Sequence, residues 1–186
     1  MIIYIHGLNS SPASSKAQLL KNRLEAMGRG ADFVAPALPH YPSQAAALLD
    51  ALAVRHPGAA LVGSSLGGYY ATYLAEKHDL KAVLLNPAVR PYDLFAGHLG
   101  PQQNLYTGER YEITMQHVEE LRALEVAGIT AARYLLIVAT GDETLDYRAA
   151  VARYRGCRSI VIEGGDHGLS DFGGHLEPVL EFCGIR

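Results

Sequence analysis

The sequence predicts an α/β fold, a mostly parallel sheet of six strands with helices on both faces. Three observations predict it. Short apolar runs alternate with helical patterns along most of the chain, as βαβ units require. One junction, Ala59-Ala60-Leu61-Val62 running into Gly63-Ser64-Ser65-Leu66-Gly67, turns a buried strand into a helix within a few residues. Finally, 186 residues with 49% apolar and 19% charged side chains suit one globular domain, here residues 1–186.

The elements follow in order. Ile2 to Ile5 is a strand, and Ser14 or Ser15 caps a helix whose Leu20, Leu24 and Met27 share a face before Gly28 closes it. Phe33 to Ala35 is a second strand. Ser43 caps a helix through Ala47, Leu48, Ala51 and Leu52 that stops at Pro57-Gly58. The strand before Gly63 leads into a helix from Leu66 to His78, with Leu66, Tyr69, Tyr70, Tyr73 and Leu74 at helical spacing. Strands at Ala82 to Leu85, Tyr134 to Ala139 and Ser159 to Ile162 complete the sheet. A helix near Tyr147 to Tyr154 and a last one from about His175 to Cys183 complete the layers. Residues 87–130 interrupt the alternation. They are rich in Tyr, Gly and Pro at first, then helical from a Thr114 cap through Val118, Leu121 and Leu124, and read as a short lid insertion.

Charge and cysteine content narrow the function. A net charge of −3 leaves no electrostatic footprint for nucleic acid. No segment reaches the ~18 apolar residues of a membrane span. Met1-Ile2-Ile3-Tyr4-Ile5-His6 lacks a basic leader region, so no signal peptide is expected. Cys157 and Cys183 lack metal-ligand spacing, and a cytoplasmic location with no metal or cofactor is the expectation.

Ser65 stands between Gly63 and Gly67, where side chains would collide as strand and helix close on each other. A serine hydroxyl is a weak nucleophile and needs a base, usually a histidine oriented by a carboxylate. His167 is the candidate base, because Gly164-Gly165-Asp166-His167-Gly168 follows the last strand directly. His175 is its rival, while His40, His56, His78, His98 and His117 read as surface residues. Asp142 is nearest the end of its strand and is the candidate acid. Asp146 is the alternative, although it also suits the N-cap of the following helix. Glu143 should point away, and Asp166 suits a turn. Oxyanion donors are expected from the backbone N–H of Leu66, after the nucleophile, and of Leu8, in the loop His6-Gly7-Leu8-Asn9-Ser10-Ser11. Tyr69 and Tyr92 are candidates to line a substrate pocket.

Together these residues resemble the α/β-hydrolase superfamily, and more closely the YqiA-like small bacterial esterases. The resemblance rests on Ile3-Tyr4-Ile5-His6-Gly7-Leu8-Asn9-Ser10-Ser11-Pro12 and on Gly63-Ser64-Ser65-Leu66-Gly67-Gly68-Tyr69-Tyr70-Ala71. It continues through Asn86-Pro87-Ala88, Tyr106-Thr107-Gly108-Glu109, Gly141-Asp142-Glu143-Thr144-Leu145-Asp146-Tyr147 and Gly164-Gly165-Asp166-His167. It implies an esterase acting on carboxylic esters or acyl thioesters, with Ser65, Asp142 and His167 as its triad. The chain begins at what would be the superfamily's third strand, leaving an edge that a second copy could cover in a homodimer. A thioester substrate with a nucleotide tail would call for a cationic grip, for which Arg90 and Arg110 are the candidates. Two alternatives stand beside this: a hydrolase-fold binding protein without turnover, and a serine hydrolase of peptide or carbon–carbon bonds.

Overall fold

The computed structural model describes residues 1–186. Six parallel strands form the main sheet: β1 (Ile2–Ile5), β2 (Phe33–Val34), β3 (Ala60–Ser64), β4 (Ala82–Leu85), and two later ones, Tyr134–Ala139 and Arg158–Ile162. Between β4 and those two lie a small antiparallel hairpin of β5 (Gly100–Gln103) and β6 (Arg110–Ile113), so the later strands are β7 and β8. The main sheet runs in the order β2-β1-β3-β4-β7-β8.

Side-chain alternation divides the core in two, because successive residues of a strand face opposite sides. Ile3, Ile5, Leu61, Ala82, Leu84, Leu136 and Val138 pack on one face against α2 (Pro42–Arg55) and α3 (Leu66–His78). Ile2, Tyr4, Val62, Val83, Leu85, Leu135 and Ile137 pack on the other against α1 (Ser15–Ala26) and the C-terminal helix Leu176–Phe182. The four central strands are buried at every position, as parallel strands covered on both faces must be.

Local signals act as expected at some ends; Ser14 stands at the N-cap of α1, but its side chain makes no capping hydrogen bond. Gly28 takes a φ of 71° after α1, and Arg29 N–H returns to the Leu24 carbonyl oxygen at 2.8 Å, closing a Schellman motif. The start of α2 differs from expectation. Tyr41 is its N-cap and Pro42 its first residue, where a fixed φ and a missing N–H cost nothing, while Ser43 N–H donates to Glu120 Oε2 at 2.9 Å.

Residues 87–130 hold more order than the sequence predicts. They form α4 (Pro91–Ala96), the β5–β6 hairpin and α5 (Met115–Ala123). The hairpin escapes sequence reading because each strand is only four residues long and β5 is polar with Pro101 inside it. Buried His117, in α5, is a correction to its surface reading. Its Nε2 lies 3.0 Å from His40 Nδ1, and its own Nδ1 accepts the Thr114 N–H at 3.2 Å.

Candidate active site

The site begins with a strained turn. Ser65 follows β3 directly and caps α3 with φ 55° and ψ −120°, a region that non-glycine residues avoid. Three backbone bonds hold it there. Ser65 N–H donates to the Leu85 carbonyl oxygen at 3.0 Å, and the Ser65 carbonyl accepts from Gly68 and Ala88 N–H at 2.9 and 3.1 Å. The flanking glycines are required by contact. A Cβ on Gly63 would lie 2.3 Å from the Gly67 carbonyl oxygen, and one on Gly67 would lie 2.0 Å from the Ile5 carbonyl oxygen of β1.

At the C-terminal ends of β3, β7 and β8 three side chains meet in line. Ser65 Oγ is 3.1 Å from His167 Nε2. His167 Nδ1 is 2.9 Å from Asp142 Oδ2 and 3.0 Å from Oδ1. The Asp142 carboxylate also accepts the Thr144 and Leu145 N–H groups, each at 2.8 Å, and its side chain is only 2% exposed. Such a carboxylate holds the proton on Nδ1, which leaves Nε2 free to accept the Ser65 hydroxyl proton.

Asp146 and His175 lie apart from this line. Asp146 caps α6 (Tyr147–Arg153), accepting the Arg148 N–H at 3.0 Å, and His175 opens the C-terminal helix α7 (Leu176–Phe182). Glu143 does not reach the imidazole ring, but its Oε2 accepts the His167 backbone N–H at 3.0 Å. Asp166 binds Ser170 N–H and Oγ, which holds its carboxyl below the usual range with help from Lys16.

The loop after β1 closes on the same point. A Cβ on Gly7 would lie 3.2 Å from Ser65 Cβ, so His6-Gly7-Leu8 lies against the turn. Leu8 N–H donates to no protein atom, and Leu66, first residue of α3, has no intrahelical partner for its own. Both leucines border a cleft of about 440 Å³ that opens in front of Ser65 and His167. The walls are mostly apolar: Ala88, Pro91, Leu94, Phe95, Ile113 and Leu145, with His98, Gln102 and Thr144 as the polar members. No lysine, arginine or acidic residue lines it.

Several expectations need correction. Tyr69 and Tyr92 do not line this cleft. Their hydroxyls are spent on the Leu121 carbonyl oxygen (2.9 Å) and on Glu125 Oε1 (2.7 Å), behind the lid helices. Arg90 pairs with Asp93 at 2.9 Å and stacks on Tyr92, and neither it nor Arg110 borders the cleft. His98, by contrast, is exposed as expected and also borders the cleft, its Nδ1 bonded to the Leu94 carbonyl oxygen at 2.8 Å.

Asn86 is the residue whose role sequence reading missed. It is 2% exposed, with φ 42°, and it directly follows β4. Its Nδ2 donates to the carbonyl oxygens of Asp166 and His167 at 3.0 and 3.1 Å, and its Oδ1 accepts Ala139 N–H at 2.9 Å. The available signal was an asparagine directly after an apolar strand, since asparagine tolerates the left-handed region.

A parallel sheet with a strained serine turn, and with histidine and aspartate following on later strands, defines the α/β-hydrolase class. Residues 1–184 match the model of the uncharacterised protein family UPF0227, and the chain belongs to that family. Solved structures with the same fold include a candidate hydrolase from Agrobacterium vitis S4, with a TM-score of 0.79 and 20% identity over 98% of this chain and 87% of that one. Mouse alpha/beta hydrolase domain-containing protein 10 has a TM-score of 0.71 and 16% identity over 97% and 89%. The esterase domain of a Rhodothermus marinus protein has a TM-score of 0.67 and 18% identity over 96% and 83%. No helix is long and apolar enough to cross a membrane.

Proposed function

We propose that the protein is a serine esterase whose substrates carry a neutral, apolar acyl group. The observation that carries this is the line from Asp142 through His167 to Ser65 Oγ at the floor of an apolar cleft. Ser65 Oγ attacks the ester carbonyl while His167 Nε2 takes its proton. The Leu8 and Leu66 amides stabilise the oxyanion, where losing one donor typically costs about 10²–10³ in rate. His167 then gives the proton to the departing alcohol. Water, activated by the same imidazole, releases the acid from the acyl-enzyme.

The wall of Pro91, Leu94, Phe95, Ile113 and Leu145 suits the acyl chain, since a charged acyl group would lose its hydration there without a partner. A thioester could react in the same way, but the expected cationic grip for a nucleotide tail is displaced from the cleft, which favours oxygen esters. The esterase domain among the structural neighbours supports the same reading.

The test is fluorophosphonate labelling mapped by peptide mass, together with hydrolysis of an acyl-ester series, for wild type and Ser65→Ala. Labelling at Ser65 and turnover, both lost in the variant, are expected. A folded wild type that neither labels nor hydrolyses any ester would overturn the reading in favour of a binding protein.

A further inference from the structure

Every side-chain hydrogen bond made by residues 8–10, the stretch carrying the Leu8 amide, goes to the β5–β6 hairpin. The Tyr111 hydroxyl donates to Asn9 Oδ1 at 2.7 Å, and Asn9 Nδ2 donates to Gln102 Oε1 at 3.2 Å. Asn104 Nδ2 donates to the Ser10 carbonyl oxygen at 2.9 Å. Asn9 itself takes φ 52°, in the left-handed region that asparagine tolerates.

The hairpin turn is built to present Asn104. Its Oδ1 accepts the Tyr106 and Thr107 N–H groups at 2.9 and 3.1 Å, and its backbone pairs with Gly108 and Glu109, each at 2.8 Å. This accounts for Tyr106-Thr107-Gly108-Glu109, a motif that the triad does not use. Tyr111 is fixed in turn by stacking on His40, with ring centroids 4.5 Å apart.

We propose that the hairpin is a positioning element of the oxyanion site: Tyr111 and Asn104, acting through Asn9 and Ser10, hold the Leu8 N–H toward the reacting carbonyl. The inference rests on the serine-esterase reading above. It makes the lid segment part of the catalytic frame as well as a wall of the cleft. A loop released from the hairpin would still bind the acyl group through the α4 wall, but would present its amide poorly when the oxyanion forms. The loss therefore falls on kcat and spares KM.

Tyr111→Phe removes one oxygen and keeps the ring, and Asn104→Asp keeps the turn-forming acceptor while replacing the donor to Ser10. For each, kcat should fall between about tenfold and a hundredfold, with KM within about twofold of wild type. A trifluoromethyl ketone supplies the specific readout. Ser65 Oγ adds to its carbonyl carbon, the hydroxyl proton passes to His167, and the ketone oxygen becomes the oxyanion. Its inhibition constant should rise by the factor lost in kcat/KM. Wild-type kcat in both variants, or a loss carried by KM alone, would overturn the hairpin inference and leave the esterase reading intact. A wild type without ester turnover would overturn both.

Discussion

Asn86 holds His167 by the backbone: its Nδ2 donates to the His167 carbonyl oxygen at 3.1 Å while its Oδ1 holds Ala139 N–H, at the end of the strand leading to Asp142. One buried amide thus ties the His167 loop to the strand leading to Asp142, beside the Leu85 carbonyl that anchors Ser65. Asn86→Asp would set a carboxylate oxygen against two carbonyl oxygens in a buried site. Its kcat/KM should fall by roughly a hundredfold, since small displacements of reacting groups cost about that much. Stability should drop by about 1–3 kcal/mol through the lost buried bonds. Ester kinetics and denaturant unfolding check the two parts, and wild-type kinetics would show that the loop needs no such tie.

The two candidate acids separate cleanly by substitution. Asp142→Asn should lower kcat by a factor on the order of 10⁴, because the imidazole then loses its oriented tautomer. Asp146→Ala should keep full activity and cost roughly 1 kcal/mol as a lost helix cap. Steady-state kinetics and urea midpoints on the pair decide between them.

Gly67 is predicted to be intolerant of even one methyl group. A Cβ there would sit 2.0 Å from a backbone oxygen, which no rotamer change can relieve. Gly67→Ala should cost more than about 3 kcal/mol or leave no folded protein. Gly128→Ala, with open space around it, should leave the urea midpoint close to wild type.

Acid should loosen the site's surroundings through two buried histidines. Burial pulls the His6 pKa below 6.5, and its Nε2 serves as acceptor for Leu38 N–H at 3.3 Å. Burial and then the neighbouring His40 pull His117 down as well, against smaller opposing effects of Glu120 and Thr114. Both bind protons more readily when unfolded, so the stability they contribute is complete above about pH 6.5 and is lost as pH falls through their lower folded values. Urea midpoints should therefore decline from pH 7 to pH 5, and less so in His117→Gln. A midpoint rising over that interval would contradict the assignment.

The sequence by itself determined the six strands of the main sheet, the helices packed on it and the order of Ser65, Asp142 and His167 along the chain. Buried parallel strands must be apolar at every position, and a serine between two glycines at a strand end leaves few conformations. Ser65, Asp142 and His167 could therefore be named from local pattern, and the structure brings their side chains into one line. In the hairpin of residues 100–113, β5 is polar and contains Pro101, and β6 alternates over only four residues, too short a run to be read as a strand from the chain. The roles of Asn86, Tyr111 and Asn104 were equally hidden, because each depends on a partner about 50 to 100 residues away. The same holds for Tyr69 and Tyr92, whose aromatic character suits a pocket wall or a packed core equally well. Only the packing of the lid helices decided that their hydroxyls face Leu121 and Glu125. Even Gly67 has its reason in another strand, since the atom it makes room for belongs to Ile5. Local sequence specifies what a residue can do, and the long-range contacts that close the sheet decide which partner it meets.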